Sequence, residues 1–295
     1  MKLFCFRILL LFITTILAAN VSSFSQYYYY NNKFYDSDVI WEFGGSFGGM
    51  YSLTDVGKKQ YNAFLPGRLD YKTTKANGGI YAGVLYQNLI GARIEITYGS
   101  VSGADSTGSP DRKVRNLSYR SDIREVAFIG EVHPLTLTNW EHLPAISPYL
   151  VGGIGWFSFN PQANYKGRWV NLQPLNTAGQ GFEEYPESKP YRLAAICLPF
   201  GVGFKYDLSP LFAARFEIIE RYTFTDYLDD ASAPYIDPEV FYTYFAPEKA
   251  ALAEALANRS NRSLKGIVRG GMQTKDKYLT INLKLAMMLG REKIK

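Results

Sequence analysis

The segment ARIEITY, Ala92 to Tyr98, alternates without a break. Ala92, Ile94, Ile96 and Tyr98 fall on one side of an extended chain; Arg93, Glu95 and Thr97 fall on the other. That is the period-two pattern of a strand with one apolar face. AAICLPFGVGFKY, Ala194 to Tyr206, repeats it over a longer span. There Ile196, Leu198, Phe200, Val202, Phe204 and Tyr206 oppose Ala195, Cys197, Pro199, Gly201, Gly203 and Lys205. Outward from these two, Val39, Trp41 and Phe43 oppose Ile40 and Glu42. Val126, Phe128 and Val132 oppose Glu125, Ala127 and Glu131. Ala214, Phe216 and Ile218 oppose Arg215 and Glu217, and Leu279, Ile281, Leu283, Leu285 and Met287 oppose Thr280, Asn282 and Lys284. Gly79 to Tyr86 and Pro148 to Phe159 are strand-like but apolar on both faces. Eight strands are predicted.

Their connections alternate in length. Ser52–Asn77, Ser102–Arg115, Asn160–Pro190 and Thr225–Asp276 are long. Gln87–Leu89 and Asp207–Pro210 are short, and His133–Ser147 is intermediate. Antiparallel neighbours put successive connections at opposite ends, so one end collects the long loops and the other the short turns. Transmembrane barrels have this asymmetry, with long external loops and short periplasmic turns. The expected fold is therefore all-β, an eight-stranded antiparallel transmembrane barrel. A soluble lipocalin-type barrel with the faces reversed accounts for the strands but not for the loop asymmetry.

In a barrel this narrow, side chains fill the interior. The polar faces carry Glu42, Glu95, Glu125 and Glu217 against Arg93, Lys205, Arg215 and Lys284. Turned inward, these acids and bases pair, and pairing is what lets charges leave bulk water. A closed charge network is expected in the lumen, with the apolar faces against lipid.

The N-terminus reads as an export signal over 1–25: basic Lys2 and Arg7, the apolar run Ile8 to Ala18, then small residues up to Ser25. Ser22 and Ser23 are alternative cleavage points. A periplasmic segment over 26–38, a barrel over 39–289 and a basic tail over 290–295 follow. Of 295 residues, 23 are Tyr, 19 Phe and 26 Gly, a composition that favours strands and turns. The formal charge of +5 is too small for a nucleic-acid footprint. Loss of the leader leaves Cys197 as the lone cysteine, so no internal disulfide forms.

Candidate sites are few. His133 and His142 lie in one short-side connection without evident Ser or Asp geometry, and read as turn residues. Gly44, Gly45, Gly48 and Gly49 lack the Gly-Lys-Ser/Thr of a phosphate loop and sit inside a strand, where bends or close strand approach explain them. Asp226, Asp229 and Asp230 offer oxygens to calcium, but without the spacing or glycine of an EF-hand. A solvated loop or local backbone bonding is the simpler reading. Pro247 to Asn258 reads as a short helix with Leu252 and Leu256 on one side. Tyr27 to Tyr30 read as rings at a membrane interface. No catalytic residue, cofactor or metal is expected.

The loop segments carry a further signal. TYGSVSGADS (97–106), RNLSYRSDI (115–123), PYLVGGIGWFSFNPQA (148–163), WVNLQPLNTAGQG (169–181), YPESKPYRL (185–193) and RYTFTDYLDD (221–230) occur in fixed order. Together they resemble the PorG family, small outer-membrane barrels of the Bacteroidetes type IX secretion (Por) system. The resemblance spans about Val39 to Leu289. It departs from the general barrel pattern at the C-terminus, where a basic tail replaces a final aromatic. It implies a non-catalytic outer-membrane component attached to the periplasmic ring of the PorK lipoprotein and PorN. That machinery exports proteins with C-terminal sorting domains and in some members supports gliding. The alternative is a stand-alone pore or receptor like the small OmpA or OmpW barrels. For the ring, the expected contact is the His133–Ser147 connection through Leu135, Leu137, Trp140 and Leu143; Trp140 equally suits a membrane-interface belt.

Overall fold

The alternating segments become strands in the computed structural model, which describes residues 34–57, 72–137, 146–209, 211–260, 262–271 and 275–293. The export signal, Tyr27 to Tyr30, Trp140, His142 and Leu143 lie outside the described residues. The strands are β1 (Phe34–Leu53), β2 (Lys75–Tyr86), β3 (Ile90–Ala104), β4 (Ser118–Val132), β5 (Ile146–Ser158), β6 (Pro161–Tyr165), β7 (Arg168–Asn171), β8 (Ala194–Asp207), β9 (Phe212–Thr223) and β10 (Lys277–Lys293). Strands β1 to β5 pair in sequence, β5 pairs with β8, and β8, β9 and β10 follow in order. β10 returns to β1 and closes an eight-stranded antiparallel barrel. Closure matters because a sheet with no free edge leaves no backbone group unpaired.

Two features were not legible in the sequence. The hairpin β6–β7 stands on the loop end of β4, through Arg120 opposite Gln162. Its strands are too short for periodicity to register. The closing strand also runs to Lys293, past Leu289. There Arg291, Glu292 and Lys293 lie opposite Asp36, Tyr35 and Phe34, beyond a register shift between Asp36 and Trp41. The barrel thus begins before Val39, and the basic tail is largely strand.

The connections sort by end. The connections that follow β1, β3, β5 and β9 leave from one end of the barrel; those that follow β2, β4 and β8 leave from the other. The tightest turn puts Gln87 and Asn88 at φ 50° and 51°, with Leu89 N donating to Tyr86 O at 3.0 Å. The longer short-side connection is stitched to it. His133 N donates to Leu89 O at 2.7 Å, and the Thr136 hydroxyl donates to Asn88 O at 2.7 Å.

The faces are inverted relative to a water-soluble protein. Outward Ile80 and Leu283 are 64% exposed and Trp41 is 53% exposed, whereas inward Glu217 is 0% and Arg215 1%. The reversed-face lipocalin reading fails on this point. An apolar exterior around a charged interior is the distribution that hydrocarbon selects.

Inward glycines make room for rings. A Cβ at Gly44 would stand 2.5 Å from the Tyr81 ring, and one at Gly203 would stand 2.3 Å from the Tyr149 ring. Outward Gly152 has open space on its Cβ side. Gly203→Ala is expected to displace Tyr149 and cost about 1–3 kcal/mol, the usual penalty of overpacking. Gly152→Ala should change stability by less than about 0.5 kcal/mol. Urea unfolding in detergent, followed by tryptophan fluorescence, checks the pair. Equal effects would contradict a lumen filled to contact.

Candidate functional site

The strand alternation delivers charges from six of the eight barrel strands to one layer of the lumen. β1 supplies Glu42, β3 Arg93 and Glu95, β4 Glu125 and Glu131, β8 Lys205, β9 Arg215, Glu217 and Arg221, and β10 Lys284. All ten are at most 5% exposed. Arg93 lies 2.6 Å from Glu131, 2.9 Å from Glu217 and 3.3 Å from Glu95. Arg215 holds Glu131 at 2.9 Å and also pairs with Glu42. Lys205 meets Glu42 at 2.9 Å. Lys284 bridges Glu95 and Glu217 at 2.6 and 2.8 Å. Arg221 holds Glu125 at 3.1 Å, a little apart from the rest.

Aromatic groups complete the packing. The Tyr149 hydroxyl donates to Glu217 at 2.5 Å, and Tyr278 donates to Glu125. Lys284 and Arg93 lie over the Tyr81 ring at 5.0 and 5.7 Å, and Arg215 lies over Tyr149 at 5.1 Å. Taken out of bulk solvent, such contacts gain strength. The charged layer is also sealed. Ile40, Leu85, Ala213, Ala286 and Met288 pack on its short-turn side. Met50, Val101, Ile123 and Phe157 pack on its loop side.

The structure joins seven of the eight charges predicted for the lumen through Glu131, and Glu125 pairs with Arg221 instead. Sequence reasoning left out Glu131, although it stands on the same polar face as Glu125. It also placed Arg221 in a loop motif. The periodic pattern of β9, extended by two steps from Glu217 through Ile219, reaches Arg221.

His133 differs from its expected role as a plain turn residue. Its Nδ1 is 3.2 Å from Ser147 Oγ, and its Nε2 is 3.3 Å from Glu131. The order resembles a hydrolytic triad. Glu131, however, is already held by two guanidinium groups and has little charge to offer an imidazolium. The ring stacks on Tyr149 at 4.8 Å and closes the short-turn mouth. In the same connection Leu135 and Leu137 are exposed, Leu137 by 70%.

The long loops fold over the other mouth. They carry the helices α1 (Pro110–Arg115), α2 (Glu239–Tyr244) and α3 (Pro247–Ala257). α3, which starts on Pro247, buries Ala250, Ala253 and Leu256 against Leu175, Phe182 and Phe241. Arg115 pins three loops: it binds Asp105 at 2.7 Å, Asp55 O at 2.8 Å, and Arg269 O. Arg269 in turn donates to Asp230 O and Thr177 Oγ1, each at 2.8 Å. Arg259 joins Ser118 and Asn164 at 2.7 and 2.8 Å. The acidic group at Asp226, Asp229 and Asp230 is buried in this cap and is not solvated. Asp230 accepts from Tyr191 at 2.7 Å and from Thr177, and pairs with Arg269. Among the described residues no three acidic, histidine or cysteine side chains are placed to hold a metal ion.

Strand closure, inverted faces and a filled lumen define a capped eight-stranded barrel. The chain belongs to a family described as a domain of unknown function, DUF6089, whose model matches residues 32–245. No curated protein matches the chain. Solved structures that it resembles include a major outer-membrane protein from Thermus thermophilus, at 10% identity and TM-score 0.39, over 86% of this chain and 100% of that one. Another is Ail, the attachment invasion locus protein of Yersinia pestis, in complex with the heparin analogue sucrose octasulfate. It matches at 9% identity and TM-score 0.37, over 86% and 100% of the two chains. OprG from Pseudomonas aeruginosa matches at 8% identity and TM-score 0.35, over 89% and 99%.

Arg93→Ala leaves three carboxylates facing each other, and Glu217→Ala leaves Arg93 and Lys284 short of a partner. Each is expected to cost on the order of 3–5 kcal/mol, as when one partner of a buried pair is removed. The double variant should cost less than the sum of the two, because both losses belong to one network. Unfolding in urea and the temperature at which the folded gel band is lost both report this. Additive or negligible effects would contradict the network.

Proposed function

We propose that this protein is a non-conducting outer-membrane component of the type IX secretion machinery, which anchors or organises the periplasmic PorK–PorN ring. The observation that carries the reading is the lumen. Buried ion pairs, flanked by apolar layers on both sides, leave no route for a solute. A barrel that passes nothing acts through its surfaces. The inverted faces support an outer-membrane location, and the order of the loop motifs supports the link to the secretion system. The short-turn end offers the ring an exposed apolar edge at Leu135 and Leu137. Trp140 and Leu143 of the same connection complete the proposed contact.

The second reading is a stand-alone small barrel that acts as a receptor. The cap favours it, because loops fixed by Arg115, Arg259 and Arg269 form a defined outward surface.

Affinity purification of the full chain from native membranes, with partners identified by mass, separates the two. The ring lipoprotein and its partner should co-purify with the wild type. Both should be lost, or reduced at least tenfold, with Leu137→Ala/Trp140→Ala, which should still assemble as a barrel. A loss of about 2 kcal/mol at an interface hot spot corresponds to more than tenfold in affinity. Wild-type barrels that purify alone would overturn the secretion role and leave the receptor.

A further inference from the structure

The cap holds a cluster of carboxylates that the lumen network does not touch. Asp55 stands just after β1, Asp226 and Asp229 just after β9, and Asp276 just before β10. They tie the first long loop to both ends of the last one. Asp229 accepts from Val56 N and Ala231 N, each at 2.9 Å. Asp276 accepts from Leu228 N at 2.9 Å, and Asp55 accepts from Gly271 N. Asp226, Asp229 and Asp276 are each at most 7% exposed.

None of the four forms an ion pair among the described residues. The surrounding cations are committed elsewhere or lie outside. Arg115 is taken by Asp105 and two carbonyls, Arg112 by Gly57 O, Arg269 by Asp230 and Thr177, and Lys275 is exposed. Tyr119 faces the cluster from β4, bonded to Thr54 at 3.1 Å. A second observation singles out Asp226: its Oδ1 is buried and has no hydrogen-bond partner among the described residues. An ionised carboxylate in that position loses its hydration and gains nothing, so the group takes up a proton instead.

We propose that this cluster is a proton-operated latch, closed while Asp226 and Asp276 are protonated and released as they ionise. Burial, with the Asp229 and Asp55 charges added, pushes the Asp226 carboxyl up to about 8. Burial likewise raises Asp229 and, with the neighbouring aspartates, raises Asp276 well above the usual range. The sign follows from linkage. A carboxyl that holds its proton more tightly in the closed cap than in the open one favours closure below its raised value. That preference is lost as pH rises from about 4 through that value. The open form, where each aspartate is solvated and apart, takes over in mild alkali. The barrel beneath is unaffected, because its charges are paired.

The test uses the full chain, with Cys5→Ser, in detergent micelles with a nitroxide on Ile267→Cys, an exposed site on the last loop. Cys197 is fully buried and does not label under native conditions. The spectrum should be immobilised at pH 5 and at least several-fold more mobile at pH 9. A label on Leu137→Cys at the far end should not change. Asp226→Asn/Asp276→Asn keeps the shape and the acceptor for Leu228 N but cannot ionise, so its Ile267 label should stay immobilised throughout. A wild-type spectrum that is unchanged between pH 5 and pH 9 overturns the latch. So does a transition that persists in the double variant. Immobilisation at pH 9 by calcium chloride alone would make the cluster a cation site and would also overturn it.

Discussion

The structure depends on one constraint: charges that cannot reach water must meet each other. Alternation along each strand turns one face to the lumen, and the lumen is too narrow to hold water around every charge. Arg93, Arg215 and Lys284 each bridge at least two carboxylates, so removal of any one leaves more than one carboxylate with fewer cations than it needs. The strands that supply them are distant in sequence. Pairing therefore fixes register around the whole barrel, since a slip of one residue would put an arginine on the apolar face.

Shape supports charge. Tyr149 donates to Glu217, stacks on His133 and lies under Arg215, and it occupies the space that Gly203 leaves. Tyr81 lies under Lys284 and Arg93 and fills the space that Gly44 leaves. Of the glycines that resemble a phosphate loop, Gly44 and Gly48 are thus sites of close ring and strand approach, whereas a Cβ at Gly45 would meet only Gly79 O at 3.8 Å. A lumen packed in this way directs attention to the two ends, where the cap and the short-turn connection present the surfaces available to partners.

The barrel was legible because its signal is local. ARIEITY and the other alternating runs fix which residue faces which side, and connection lengths fix which end is which. Six of the eight strands follow from alternation, and β2 and β5 read as strand-like runs that are apolar on both faces. The cap was not legible, because its contacts join residues far apart in the chain. Arg115 reaching the carbonyls of Asp55 and Arg269 leaves no mark in composition or spacing. For the same reason Asp226 and Asp229 read as solvated or locally backbone-bonded loop residues; Asp229 does bond Ala231 N, but the first and last long loops bury both. Arg221 was missed at a boundary, where β9 runs further than its apolar face suggests.

The central claim, a lumen closed by its own paired charges, is tested most directly by current measurements on the purified barrel in a planar lipid bilayer. The unmodified protein should be electrically silent, with no steady conductance steps in potassium chloride solution over a range of voltages. Large, reproducible ohmic channels from the folded wild-type barrel would show an open path through the layer of Arg93, Arg215 and Glu217, and would contradict the account.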